Sequence, residues 1–301
     1  MARFLVTGGA GFIGSHLVHA LVADGHAVRV LDDLSNGHRD NLPQQVELTE
    51  ADVTDPAAVE CALDGVDGCF HLAAIASVAR SHREWLRTHQ VNLTGTINVF
   101  DRARPSRRRR EVPVVYASTA AIYGNCGSFP VDEESSAAPL SAYGADKHAC
   151  ELHARVAGAI HGVPTVGLRF FNLYGPRQDP LSAYSGVISI FAGRLLRGEP
   201  VEIFGDGEHA RDFTYISDAV SVVCAMKPSC SAARRGLPIE TRISPLRGGR
   251  RCTTRSVPHN AAIIWASSRT LVASPVQTLK TNALVVAARI ARRSALTASL
   301  I

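Results

Sequence analysis

The chain has 301 residues, 46% of them hydrophobic, with 32 Lys+Arg against 27 Asp+Glu and a formal charge of +5. That length and apolar fraction support one large or two moderate globular domains and exclude a disordered or disulfide-stapled chain. The charge is unevenly laid down. Residues 1–226 carry 19 basic and 26 acidic groups, a net of −7, whereas residues 227–301 carry 13 basic groups against Glu240 alone, a net of +12.

The first strand is predicted over Phe4–Thr7 and runs into Gly8-Gly9-Ala10-Gly11-Phe12-Ile13-Gly14. Phe12, Ile13, Leu17, Val18, Leu21 and Val22 then recur at helical spacing. A strand over Ala27–Leu31 ends in Asp32-Asp33, and further strands are predicted at Val46–Leu48, Gly68–Leu72, Val112–Ala117 and Thr165–Leu168. Asp55-Pro56 supplies a cap and a first-turn proline for the helix between the third and fourth strands. This alternation predicts an α/β fold, a doubly wound parallel sheet of Rossmann type, with ligands at the carboxyl ends of the strands. Residues 170–211 loosen into Gly/Pro-rich loops around a helix predicted at Val187–Leu196, which reads as a smaller substrate lobe. Residues 212–226 return as strand then helix. The expected organisation is residues 1–169 with 212–226 as the dinucleotide-binding domain, 170–211 as the lobe and 227–301 as an atypical basic segment.

Glycines at 8, 11 and 14 let backbone N–H groups approach a pyrophosphate at a helix N-terminus, where the dipole favours negative charge. An acid at the end of the second strand bonds ribose hydroxyls and repels a 2′-phosphate, so Asp32 and Asp33 favour NAD over NADP. Asp52 is placed to accept a hydrogen bond from an adenine amino group. Leu72-Ala73-Ala74, after the fourth strand, leaves room for the cofactor backbone.

The fifth strand delivers Ser118 and Thr119 at its carboxyl edge, and Tyr143 and Lys147 follow at the start of a helix. Four residues apart on a helix, they share a face with about 5–6 Å between Cβ atoms. A neighbouring ammonium is expected to lower the phenol's pKa from its ordinary value near 10 and make it a usable base. The Thr119 hydroxyl completes a proton-shuttling set.

In this order the motifs VTGGAGFIG from Val6, LDDLSNG from Leu31, ADV from Ala51, HLAA from His71, VNLTGT from Val91, YASTAAIYG from Tyr116, YGADK from Tyr143, RFFNLYGPRQ from Arg169 and GDGEHARDFTYISDAV from Gly205 resemble the extended short-chain dehydrogenase/reductase family. Within it they resemble the NAD-dependent epimerases of nucleotide sugars, of the UDP-glucose or UDP-N-acetylglucosamine 4-epimerase type. The resemblance implies that Tyr143 is the base, Lys147 binds the nicotinamide ribose and Thr119 is the hydroxyl partner. It implies an NAD site built from Gly8, Gly11, Phe12, Ile13, Gly14, Asp32, Asp33, Asp52, Val53, Leu72, Ala73, Ala74, Asn92, Ser118, Tyr143, Lys147 and Phe171. Thr119, Asn172 and Arg211 would contact the nucleotide-sugar substrate, the last two at its phosphates. The implied reaction is reversible oxidation at C4 of the sugar with no net redox change; a homodimer is expected if the chain folds, and a reducing cytoplasm is expected from the cysteine pattern. Ala120-Ala121 stand where dehydratases and decarboxylases of the family carry an acid, which favours epimerisation over elimination.

Other features are read more plainly. The seven cysteines contain no C-x-x-C pair, and no third or fourth ligand accompanies the scattered histidines, so neither disulfides nor a metal are expected. No uninterrupted run of 18 apolar residues and no secretory leader pattern occurs, which predicts no membrane partner. Arg107–Arg110 reads as a solvated loop, with no nucleic-acid partner. Beyond Met226 the resemblance ends, without the Gly-Thr-Gly turn or the Arg-x-Gly-Asp motif the family carries. A reading-frame change near residues 226–230 would account for this, the alternative being a natural basic tail for an acidic partner. Since the missing segment closes the nucleotide pocket, the altered chain is expected to bind NAD with weak or absent turnover.

Overall fold

The computed structural model describes residues 1–106, 110–126, 131–180, 186–203, 205–207 and 211–226, with short strands at 240–241, 254–255 and 262–266. The arginines at 107–109, the segments 181–185 and 208–210, and the remainder of 227–301 lie outside the described residues.

The strands are β1 (Arg3–Thr7), β2 (Ala27–Asp32), β3 (Glu47–Glu50), β4 (Gly68–His71), β5 (Val114–Thr119), β6 (Thr165–Phe170), β7 (Asn172–Tyr174), β8 (Phe213–Tyr215), β9 (Glu240–Thr241), β10 (Thr254–Arg255) and β11 (Ala262–Ala266). Seven of them form one sheet in the order β11-β6-β5-β4-β1-β2-β3, with every neighbouring pair parallel. β7 and β8 pair separately and in parallel, so the return segment after residue 212 does not join the main sheet. β5 begins two residues later than its hydrophobic run. Pro113 has no N–H to give a ladder, and the Val112 amide instead bonds the Ala103 carbonyl. β11 was not anticipated in the basic segment; its run Ala-Ile-Ile-Trp-Ala extends the sheet beside β6, Ala262 opposite Val166.

The helices are α1 (Phe12–Ala23), α2 (Pro56–Leu63), α3 (Val78–Arg83), α4 (Trp85–His89), α5 (Gly95–Arg102), α6 (Ala142–His161), α7 (Val187–Leu196) and α8 (Ile216–Ala225). α7 spans the predicted residues, and Asp55 caps α2 by accepting from the Ala57 amide at 2.9 Å. Both faces of the sheet are covered, and the period of two along each strand decides which residue meets which layer. Phe4, Val6, Phe70 and Val115 pack with Leu17, Val18 and Leu21 of α1 and with Ile216, Ala219 and Val223 of α8. Leu5, Cys69, Val114 and Tyr116 pack on the other side with Val59 and Leu63 of α2, Val99 and Phe100 of α5, and Ala154 and Ala157 of α6.

The chain reverses its strand order between β1 and β4, and there the backbone is crowded. A Cβ on Gly14 would stand 2.1 Å from the Gly8 carbonyl oxygen, and one on Gly8, whose φ is +68°, 2.7 Å from the Ala73 nitrogen. Only glycine lets α1 and the β4 loop close on this turn.

Beneath the turn lies a fully buried polar chain. His71 bonds the Thr7 hydroxyl through Nδ1 at 2.7 Å and the Thr96 hydroxyl through Nε2 at 2.9 Å. Thr96 donates to the Asn92 carbonyl, so it accepts from His71 Nε2–H, which leaves Nδ1 to accept from Thr7. Thr7 in turn accepts the Ala73 amide at 3.2 Å. Burial, with Lys147 nearby, pushes the imidazole pKa down to about 3 from 6.5.

Two outcomes follow. Gly14→Ala must part α1 from the Gly8 turn and is expected to cost about 1–3 kcal/mol of stability; a variant melting with the wild type would mean the helix can back away freely. The neutral His71 adds stability that is fully present above pH 6.5 and is lost as pH falls toward 3, because only the unfolded chain takes up the proton. Denaturation midpoints across that window should fall less steeply in His71→Gln, and equal slopes would remove His71 as the cause.

Candidate active site

The N-terminal turn of α1 faces the crowded crevice. Its cap position is Gly11, with no side-chain capping bond and no acidic residue in the first turn, so its amide donors and positive dipole end are not met by a side chain of the helix start. This glycine cradle fits a pyrophosphate. At the end of β2, Asp32 is 6% exposed and both its oxygens accept backbone bonds, from Ala10 at 2.9 Å and Leu34 at 2.9 Å. Burial raises its pKa, opposed by those two bonds. Asp33 is exposed and holds the Ser35 amide and hydroxyl. Asp52 is engaged as well: its carboxylate takes the Thr54 amide at 2.8 Å and Arg87 at 2.5 Å, and the bonds to Arg87 and Thr54 together hold its pKa low against partial burial. Val53 behind it is buried.

β5 presents Thr119 at its carboxyl end, where the hydroxyl oxygen accepts the Ala121 amide at 3.2 Å and starts a 3-10 turn over Ala120–Tyr123. Ser141 caps α6 by accepting from the Gly144 amide at 3.0 Å, which sets Tyr143 and Lys147 in the first two turns. The Tyr143 amide is held by the Ser81 hydroxyl of α3. The Thr119 hydroxyl lies on the side of the Tyr143 phenol and favours its charged form. The structure therefore brings Thr119 and Tyr143 together, with Lys147 on the same helix, 2% exposed and donating to the Ala117 carbonyl at 3.0 Å.

The expected lowering of the phenol's pKa by Lys147 is not what this arrangement produces. Burial dominates and pushes Tyr143 up to about 12, with the Thr119 hydroxyl acting in the opposite sense. Lys147, itself lowered by burial, has its ammonium turned to a backbone carbonyl instead. In this arrangement the phenol keeps its proton at neutral pH.

Other residues named from sequence fall into two groups. Leu72 and Ala73 close on Gly8, with Ala74 next in the chain, and Phe171 packs beside the cluster of Ile122, Tyr123 and Val131. Asn172 is tied to the segment that carries Arg211: its amide and side chain both donate to the Asp212 carbonyl. Asn92 and Ser118 are engaged with protein partners. Asn92, fully buried in a π-helical turn over Gln90–Thr94, accepts the Ile75 amide at 2.8 Å and donates to the Ile75 carbonyl at 3.1 Å. The Ser118 hydroxyl donates to Glu151 at 2.5 Å. Sequence reasoning missed Glu151 altogether, although its place one turn beyond Lys147 on the same face was a visible signal.

The profile of the NAD dependent epimerase/dehydratase family matches residues 4–236, about ten residues beyond the point where motif matching stopped. A protein of Methanocaldococcus jannaschii described as a putative UDP-glucose 4-epimerase is 38% identical over 216 residues, 71% of this chain and 70% of the relative. The structure of a UDP-glucose 4-epimerase from Thermotoga maritima with UDP-glucose superposes with a TM-score of 0.71 at 40% identity, covering 75% of this chain and 73% of that one. The Thermus thermophilus UDP-glucose 4-epimerase complexed with NAD gives 0.69 at 39% identity, covering 74% and 73%. A glycine cradle at the β1–β4 reversal, a Thr–Tyr pair with its lysine, and a match across most of the chain agree, and the protein belongs to the NAD dependent epimerase/dehydratase family.

Proposed function

We propose that the protein interconverts UDP-glucose and UDP-galactose, or their N-acetylated forms, by epimerisation at C4. The observation that carries this reading is the placement of Tyr143 and Lys147 in the first two turns of α6, with the Lys147 ammonium on the Ala117 carbonyl near Thr119 at the carboxyl end of β5, beside a glycine cradle suited to NAD. When bound, NAD supplies the acceptor and donor of the C4 hydride. Gly8, Gly11 and Gly14 hold its pyrophosphate, the carboxylates of Asp32 and Asp33 disfavour a 2′-phosphate, and Lys147 holds the nicotinamide ribose.

As a phenolate, its own proton having passed to solvent under the pull of Lys147 and of the positive nicotinamide ring that NAD would bring, Tyr143 takes the proton of the C4 hydroxyl and returns it after the sugar has turned its other face. Thr119 already accepts the Ala121 amide, so its own proton is free to donate to the phenol oxygen as negative charge develops there. Asn172 and Arg211 receive the diphosphate, where a guanidinium binds two oxygens at once. Ala120 and Ala121 carry no acid–base group next to Thr119, which supports epimerisation over the dehydration run by other members of this family.

The same reading includes a homodimer. Leu152, Val156 and Ile160 on α6 are 47%, 43% and 72% exposed at helical spacing, and Trp85 and Leu86 on the adjacent α4 are 68% and 70% exposed. An apolar face of this kind suits a second copy of the chain. Among the described residues no helix is long and apolar enough to cross a membrane.

Purified protein is expected to carry NAD by absorbance and to convert UDP-galactose to UDP-glucose only slowly, because the sequence after Met226 lacks the motifs that close the nucleotide pocket in this family, and a version with a restored C-terminus should turn over faster. Tyr143→Phe should lower kcat by about 100- to 10,000-fold with NAD content unchanged; full turnover in that variant would remove Tyr143 as the base. Light scattering should give twice the chain mass, falling to one chain mass in Val156→Glu with Ile160→Glu, and a monomeric wild type would refute the dimer.

A further inference from the structure

We propose that Glu151 is a positioning residue that holds α6 against β5 and thereby sets the reach of Tyr143 to Thr119. The inference rests on the reading of Tyr143 as the base. Tyr143, Lys147 and Glu151 follow one another at intervals of four residues, so they line one face of α6. Their partners are the last three residues of β5: Thr119, Ala117 and Ser118.

Glu151 makes the strongest of the three attachments. Its Oε1 accepts from the Ser118 hydroxyl at 2.5 Å and from Arg169 Nε at 3.0 Å, and its Oε2 accepts from a terminal nitrogen of Arg169 at 2.8 Å. Glu151 is 2% exposed and Arg169 4%. Arg169, from β6, spends its remaining terminal nitrogen on the Tyr123 phenol at 2.7 Å and the Glu133 carbonyl at 3.1 Å. Tyr123 ends the 3-10 turn that Thr119 begins. The pair therefore grips Thr119 from both sides in sequence, through Ser118 before it and Tyr123 after it.

A buried ion pair is weak evidence for a stabilising role, since well-packed apolar residues often serve as well or better. What apolar residues do not supply is a bidentate carboxylate with a lone pair left for Ser118. Adjacent strand residues point to opposite faces, so tethering the Ser118 hydroxyl to α6 also fixes the strand's rotation about Thr119. Misplacement of a catalytic group by about 1 Å costs about 100-fold in rate.

Three variants test this. In Glu151→Gln, kcat should fall about 100-fold, with bound NAD and the KM for the nucleotide sugar near wild type. Ser118→Ala, which leaves the ion pair intact, should lower kcat while keeping its melting temperature and bound NAD. Glu151→Met with Arg169→Met removes both charges and should restore the melting temperature while kcat stays low. Recovery of kcat together with the melting temperature would reduce the pair to structural support and overturn the proposal. If the wild type converts no nucleotide sugar, the functional reading fails separately. The crystal structures of Glu151→Gln and of the wild type then decide: a shift of the Tyr143 phenol away from Thr119 in the variant supports the positioning role, and an unchanged separation overturns it.

Discussion

Three side chains spaced four residues apart on α6 reach the last three residues of β5, and the separation of that helix from that strand governs everything at the site. In the proposed function the first, Tyr143 facing Thr119, is chemical, and another, Lys147 with the Ala117 carbonyl, places a charge. The third, Glu151 with Ser118, is mechanical. The strand belongs to a parallel sheet covered on both faces, so it has little freedom to shift. The helix is pinned by its Ser141 cap at one end and by Ala154 and Ala157 in the core at the other. Precision of this sort comes from regular elements whose side chains are locked by a surrounding shell.

The cofactor side is organised by close backbone approach. Gly8 and Gly14 leave no space for a Cβ, and the Thr7–His71–Thr96 chain fixes the strands below them without a charge. A neutral imidazole suits this position: it donates at one nitrogen and accepts at the other, which a protonated ring could not do. The π-helical turn at Gln90–Thr94 continues the same network, with Asn92 clamping Ile75 and so shaping the wall of the crevice from behind.

Much of the fold could be read from local patterns because it is written locally. The alternation in β1, the Asp55-Pro56 start of α2 and the apolar run of α7 each depend on residues within a turn or two of one another. Tyr143, Lys147 and Thr119 can be named as a candidate set from sequence because residue type, spacing and position after a strand all point to one chemistry. The missed features depend on partners distant in sequence. Asp52 meets Arg87, Asn92 meets Ile75, and Glu151 meets Arg169, at separations of 35, 17 and 18 residues, and no periodicity announces such pairs. The pKa of Tyr143 was misjudged for a related reason: spacing placed an ammonium nearby, while burial and the direction of Lys147 toward Ala117 are properties of the packed state.

Asp32 carries a consequence for how cofactor choice can change in such a chain. The carboxylate proposed to disfavour a 2′-phosphate ties down the Ala10 and Leu34 amides. Leu34 sits at φ +54°, in the left-handed region, and depends on such an anchor. Replacing Asp32 by a small neutral residue to admit a phosphorylated ribose would release both loops at once. A drift toward NADP would therefore pass through a less stable intermediate sequence unless a second substitution first secured the Ala10 and Leu34 amides, so preference for NAD is protected by folding as well as by selection on the reaction.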